Sequence, residues 1–275
     1  RLCIGHSSSQ TESCPKVTKS ILLGMQNPIP YGDLFPAVRE ASAAELRYFS
    51  EGYDVQIKKD RTPVTSADLA ANKILVDALQ KLYPEIPVVS EEFDKPNPET
   101  LKKAFFFVDP LDGTTDFISG RKEFTVNVAL VEQGKVVLGI VAVPALNELY
   151  YGYRGEAFFA PLDDAGLLNK RTLHVQDRYR PFMPGRKPRV LVSVTHSDSC
   201  TLDHLRKIAG VELPVGSSLK FLRIADGFAN YYPRNFSLHE WDIAAGHGVL
   251  KAAGGNVYCF GTENEVGYGQ KDFVC

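Results

Sequence analysis

FFFVDPLDGTTDF, residues 105–117, decides how the rest of the chain is read. Its first residues are apolar without alternation, as in a strand buried on both faces. The strand is expected to end at Asp109, with Pro110 forcing a turn, Asp112 following, and Gly113-Thr114 opening a helix. Two carboxylates then stand at one strand exit. Gly113 permits close backbone approach, and the unpaired N–H groups of a helix start suit a phosphate. Carboxylates beside a phosphate would repel it, a conflict that cations resolve. An all-oxygen donor set with no neighbouring His or Cys favours magnesium over zinc or copper. The competing reading is a plain capped turn, because Asp, Pro and Gly are ordinary turn residues.

Further acids occupy similar settings. VVSEE, residues 88–92, reads as a short strand delivering Glu91. Asp68 lies at the start of a helix signalled by TSADLAANKILVDALQKLYP (65–84), whose Ala71, Ile74, Leu75, Ala78, Leu79 and Leu82 share a face and which Pro84 stops. Asp242 opens the helical stretch WDIAAGHGVLKAAGG (241–255). Singly, Asp68 and Asp242 would serve a helix dipole, and Ser237 to Glu240 has capping-box spacing.

Around these motifs the chain alternates. Leu34–Phe49 has helical spacing, FTVNVALVEQGKVVLGIVAVP (124–144) reads as a hairpin turning at Gln133-Gly134, and ELYYGYRGEAFFA (148–160) as another turning near Gly155. After the Pro- and Arg-rich RYRPFMPGRKPR (178–189) come the strand RVLVSV and helical stretches around LDHLRKIA and SLKFLRIADG. The expected organisation is a poorly ordered extension over 1–30, an N-terminal α+β domain over 31–185 carrying most of the acids, and a C-terminal α/β domain over 186–275.

The chain has 275 residues, 44% of them hydrophobic, enough for a sizeable core. Its formal charge of −2, from 31 basic and 33 acidic residues, gives no global reason to expect a nucleic-acid polymer or an anionic membrane as partner. Cys3, Cys14, Cys200, Cys259 and Cys275 form no CxxC pair, so neither a disulfide framework nor a zinc site is expected. No run approaches the roughly 20 apolar residues of a bilayer span. A cytoplasmic setting is expected, with peripheral membrane association allowed.

DPLDGTTDF and WDIAAGHGVLKAAGG resemble the two signatures of the inositol monophosphatase superfamily, and PVTSAD and VVSEE match its flanking elements in order. The similarity runs from about residue 31 to the C-terminus. It implies an α/β fold, the layered α/β/α/β/α sandwich of the inositol monophosphatase and fructose-1,6-bisphosphatase type. It also implies that Glu91, Asp109, Asp112, Asp242 and the Leu111 carbonyl ligate two or three magnesium ions. Thr114 and Asp68 would orient and deprotonate the attacking water, with Glu91 assisting. The Gly113 and Thr114 amides would hold the phosphate being cleaved, and lithium would inhibit.

GSSLKFLRIADGFANYYPR, residues 216–234, resembles the 3'(2'),5'-bisphosphate nucleotidase branch. A second phosphate needs cations, which Arg supplies as a fork and Lys as a point charge. Ser217, Lys220 and Arg234 are therefore expected at the nucleotide 5'-phosphate, and His196 at adenine unless it is merely a satisfied histidine at a strand end. The implied reaction is hydrolysis of adenosine 3',5'-bisphosphate to AMP, extending to 3'-phosphoadenylyl sulfate or inositol 1,4-bisphosphate, with a place in sulfur metabolism. The alternatives are an inositol or sugar monophosphatase and a non-catalytic nucleotide-binding protein, as monomer or homodimer. His247 and Trp241 are expected to pack rather than ligate.

Overall fold

The computed structural model describes residues 2–5, 30–93, 95–101, 103–163, 167–175, 187–194, 199–235 and 237–274. In chain order the elements are β1 (Leu2–Gly5), α1 (Phe35–Glu51), β2 (Val55–Ile57), β3 (Pro63–Thr65), α2 (Ser66–Leu82), β4 (Val88–Ser90), β5 (Ala104–Asp112) and α3 (Thr114–Ile118). There follow β6 (Thr125–Glu132), β7 (Lys135–Val143), β8 (Glu148–Tyr153), β9 (Glu156–Pro161), β10 (Arg171–Thr172) and β11 (Arg189–Ser193). The last are α4 (Ser199–Ile208), β12 (Val211–Val215), α5 (Leu219–Ala225), β13 (Tyr231–Arg234), α6 (Glu240–Ala252) and β14 (Asn256–Cys259).

Alternate residues of the apolar strands load two separate cores. Phe105, Phe107, Ala129 and Val131 enter one, and Phe106, Val108, Val128 and Leu130 the other, since successive side chains of a strand face opposite ways. A sheet apolar on both faces must be covered twice. The seven-stranded sheet, ordered β10-β9-β8-β7-β6-β5-β4, carries α1 and α2 on one face and α6 on the other. Beyond α5 and α6 lies a five-stranded sheet ordered β12-β11-β13-β1-β14, and α4 packs against its β13. Helices, sheet, helices, sheet and helix make the expected five layers. Both expected hairpins form, with positive φ at Gln133 and Gly134 and at Arg154 and Gly155, the paired left-handed residues that match strand twist.

The inner helix sits unusually close to the sheet. A Cβ on Gly248 of α6 would stand 2.7 Å from the Gly139 backbone nitrogen of β7. Only two glycines meeting backbone to backbone allow that approach, and it fixes how far the start of α6, with Asp242, reaches over the end of β5.

Two expectations are corrected. Residues 1–30 are not wholly outside the fold, because Leu2–Gly5 is an interior strand of the five-stranded sheet, pairing antiparallel with β13 and β14. The short apolar run LCIG is masked in composition by the polar residues after it; residues 6–29 lie outside the described residues. Nor does the strand stop at Asp109. It continues through Pro110 to Asp112 by a β-bulge, with Asp109 opposite Asn127 and Asp112 opposite Thr125. Proline is tolerated in a bulge because no ladder donor is needed there. The extra residue turns Asp109 and Asp112, which an unbroken strand would send to opposite faces, toward one cavity.

Candidate active site

The parallel pairing of β4 with β5 places Glu91 beside Asp109, the Glu91 N–H donating to the Val108 carbonyl at 3.0 Å. Asp242 arrives from the first turn of α6, where its carboxylate accepts the His239 N–H at 2.9 Å. Ligand oxygens of Glu91, Asp109 and Asp242 all lie within 4.8 Å of one another. Asp109 is 1% exposed and its Oδ1 has no hydrogen-bond partner among the described residues. A buried, unpartnered carboxylate oxygen aimed among other acids fits a hard divalent cation. Burial pushes the Asp109 and Asp242 carboxyls well above the usual carboxylate range, and their mutual repulsion, with Glu91 and Asp112 joining, adds to it. Four acids crowd one site, and the raised pKa values of Asp109, Asp112 and Asp242 mark an excess of negative charge there.

Asp112 completes the wall of the same cavity, which has a volume of about 280 Å³. Its Oδ2 accepts the Ser218 N–H at 2.5 Å. Burial raises its pKa, while Lys220 and the Ser218 hydrogen bonds offset part of that. Ser218 also donates its hydroxyl to the Asp242 carbonyl at 2.9 Å, so one serine ties the ends of β5 and α6 together. Gly113, with φ of 93° and ψ of 37°, is left-handed and abuts Ser217, where an added Cβ would sit 3.3 Å from the serine Cβ. The helix it opens has only five residues. A macrodipole contributes little at that length.

Asp68 is 1% exposed and caps α2, its Oδ2 accepting from Thr65 N at 2.7 Å and Thr65 Oγ1 at 2.5 Å. Its other oxygen accepts the Thr114 hydroxyl at 3.1 Å, and the Leu111 carbonyl lies within reach of the same hydroxyl at 3.2 Å. Burial raises the Asp68 pKa, against the Thr65 and Thr114 hydrogen bonds that lower it.

Behind Asp68 lies an acid that the sequence reading passed over. Glu45 of α1 is fully buried, and neither carboxylate oxygen has a partner among the described residues. Burial, then the Asp68 charge, raises its pKa well above the ordinary 4.5. Protons are therefore held more tightly in the folded than in the unfolded state. The stability is fully present below about pH 4.5 and is lost as pH rises through the folded pKa. Glu45→Leu should raise unfolding free energy at pH 8 by about 1–3 kcal/mol, the usual cost of an unsatisfied buried polar group, with a smaller gain at pH 5. Urea titration in chelator measures both; a variant less stable than wild type at pH 8 contradicts the assignment.

Lys58 was also missed. On the β2–β3 hairpin its ammonium lies 2.8 Å from Glu91 and 2.6 Å from Glu92. Burial pulls its pKa down, but the two glutamates overcome this and hold it above its usual value. Nothing in the local pattern KKDRT singles out that lysine, since the contact spans 33 residues.

Ser217, Lys220, Tyr232 and Arg234 line the same cavity as Glu91, Asp109, Leu111, Asp112, Gly113, Thr114 and Asp242. Ser217 has a left-handed φ of 42°. Its hydroxyl donates to the Glu123 carbonyl, and the Glu123 carboxylate accepts the Gly216 N–H at 2.9 Å. His196 lies outside the described residues. The capping box expected at Ser237 to Glu240 does not form; Glu240 instead accepts the N–H groups of Gly269 and Gln270 at 2.6 and 2.9 Å, and His239 with Asp242 caps the helix. His247 is fully buried between the Tyr268 hydroxyl and Asn256, and burial pushes its pKa down to about 4, so it packs as a neutral ring. Trp241 is 5% exposed and stacks under His239 with ring centroids 4.5 Å apart.

Residues 34–275 match the model of the inositol monophosphatase family. The chain belongs to that family. It is 39% identical over 208 residues to the 3'(2'),5'-bisphosphate nucleotidase CysQ of Escherichia coli strain K12, an alignment covering 74% of this chain and 79% of the relative. It is 41% identical over 204 residues to the protein of the same name from Salmonella typhimurium, covering 73% and 78%. Among solved structures, CysQ from Bacteroides thetaiotaomicron superposes with a TM-score of 0.74 at 29% identity, over 88% of this chain and 93% of that one.

Proposed function

We propose that the protein is a magnesium-dependent 3'(2'),5'-bisphosphate nucleotidase that hydrolyses adenosine 3',5'-bisphosphate to AMP and phosphate. The observation that carries this reading is one cavity lined both by the acid cluster and by Lys220 and Arg234. Relatives at about 40% identity bear the name of that activity. Glu91, Asp109, Asp112 and Asp242, with the Leu111 carbonyl, would hold two or three magnesium ions. When bound, such ions acidify water and neutralise charge on the oxygens of an in-line displacement.

The chain's own residues do the rest. The Gly113 and Thr114 amides hold the phosphoryl group. Thr114 Oγ1 orients the attacking water and passes its proton to Asp68 Oδ1, to which it is already hydrogen-bonded at 3.1 Å. A buried carboxylate with a raised pKa is a stronger base than one in water and suits that task. The P–O3' bond breaks as the new P–O bond forms, the leaving 3'-oxygen takes a proton from solvent water while Asp68 later returns its own to solvent, and no covalent phosphoenzyme is required. Ser217, Lys220 and Arg234 take the 5'-phosphate, and His196 the adenine.

The same set of contacts admits 3'-phosphoadenylyl sulfate or inositol 1,4-bisphosphate, whose second anion would meet the same cations, and lithium would compete at the acid cluster. A panel of phosphate-release assays tests the reading. The expected result is a higher kcat/KM for adenosine 3',5'-bisphosphate than for inositol 1-phosphate. Lys220→Ala and Arg234→Ala should each lower the bisphosphate value by about 10- to 100-fold, as befits a lost charge-assisted contact. A preference for inositol 1-phosphate would replace this assignment with a monophosphatase, and nucleotide binding without turnover in magnesium would indicate a silent relative.

A further inference from the structure

Two like charges on one cavity wall need something between them. Lys220 is 5% exposed, with its ammonium 3.2 Å from the Val215 carbonyl and 5.2 Å from the centre of the Tyr232 ring. The Tyr232 hydroxyl, in turn, accepts a hydrogen bond from Arg234 Nη1 at 3.0 Å. Tyr232 is itself 2% exposed, held in β13 and packed edge-on against Phe221, with centroids 6.1 Å apart and planes at 87°. One rigid ring therefore offers its negative face to the lysine and an oxygen lone pair to the arginine. Neither contact brings a formal negative charge, which would neutralise the cations and repel an incoming anion.

We propose that Tyr232 is the positioning residue that sets the preference for substrates carrying a second phosphate, by seating Lys220 against its ring and aiming Arg234 with its hydroxyl. The inference rests on the assignment of Lys220 and Arg234 to that second phosphate. A carboxylate in place of the phenol would hold Arg234 as firmly but cancel its charge. An aliphatic residue would take the ring face from Lys220 and the hydroxyl acceptor from Arg234. Preorganised side chains lose less freedom on binding, so the gain falls on affinity for the doubly phosphorylated ligand.

Tyr232→Phe removes only the hydroxyl and keeps the ring, which protects the fold. With adenosine 3',5'-bisphosphate its KM should rise about tenfold with a smaller change in kcat. The preference for that substrate over adenosine 3'-monophosphate should shrink by a similar factor. Tyr232→Leu should shrink it further, because the face under Lys220 is also lost. Arg234→Ala is run alongside. If it lowers the preference while Tyr232→Phe leaves it unchanged, the assignment of the cations stands and the role given to Tyr232 is wrong. If Tyr232→Phe depresses both substrates equally, the residue is structural and the proposal fails. If Arg234→Ala leaves the preference intact, the phosphate assignment falls and this inference falls with it.

Discussion

Asp109→Asn is expected to abolish phosphate release, lowering kcat/KM by at least about a thousandfold, while leaving the metal-free protein at least as thermostable as wild type. The two halves have one cause. In the metal-free fold the Asp109 carboxyl is fully buried, beside Glu91, Asp112 and Asp242, and its pKa is raised well above the ordinary 3.8. The folded state thus binds its proton more tightly than the unfolded chain does. The associated stability is complete below about pH 3.8 and disappears as pH climbs through the folded pKa, so at neutral pH the side chain is a liability. Asparagine keeps the shape and removes the charge. Magnesium should reverse the ranking, since an ion bound only by the folded state adds about 2.7 kcal/mol at a hundredfold excess over its Kd. Thermal melts with chelator and with magnesium measure this directly. The wild type should gain markedly on adding the ion and the variant little. An equal magnesium-induced rise in both proteins, or full activity in the variant, would remove Asp109 from the metal site.

The acid cluster was legible in the sequence because each member sits at a local boundary that residue types announce. Asp109 follows a run of apolar residues, Glu91 ends VVS, and Asp68 and Asp242 open helices. Their convergence on one point was not a local property. It depends on the parallel pairing of β4 with β5 and on the glycine contact that lets α6 lie against β7. The bulge through Pro110 was misread as a strand end because proline and glycine signal turns more often than bulges. β13, YYPR, carries a proline and was hidden for the same reason. Lys58, Glu45, Glu123 and Tyr232 escaped notice altogether. Each owes its role to partners far off in the chain or to burial, and a lone lysine, glutamate or tyrosine has no sequence signal for either. Among the residues proposed to hold the second phosphate, Lys220 and Arg234 emerged only through resemblance, since isolated cations in a helix and a strand are ordinarily solvent-facing.

Thr114→Ala is expected to lower kcat by about 10²- to 10⁴-fold, the usual range for a lost proton-transfer group, with little change in KM. The threonine hydroxyl has two acceptors within reach, Asp68 Oδ1 at 3.1 Å and the Leu111 carbonyl at 3.2 Å. With its proton directed to the buried Asp68, the hydroxyl keeps its lone pairs for a water in the cavity that Thr114 lines. That polarity is what a proton relay needs: accept from water, donate to a buried carboxylate. Thr114→Ser keeps the hydroxyl and should recover most of the rate, which a role in packing the threonine methyl would not allow. Asp68→Asn should cost a similar factor, because an amide holds the hydroxyl without taking its proton. The double variant Thr114→Ala, Asp68→Asn should then be hardly slower than the worse single one, since two members of one relay act as a unit. Losses that multiply would mean that Asp68 and Thr114 serve separate steps. A Thr114→Ser variant as slow as Thr114→Ala would place the proton acceptor elsewhere in the cavity.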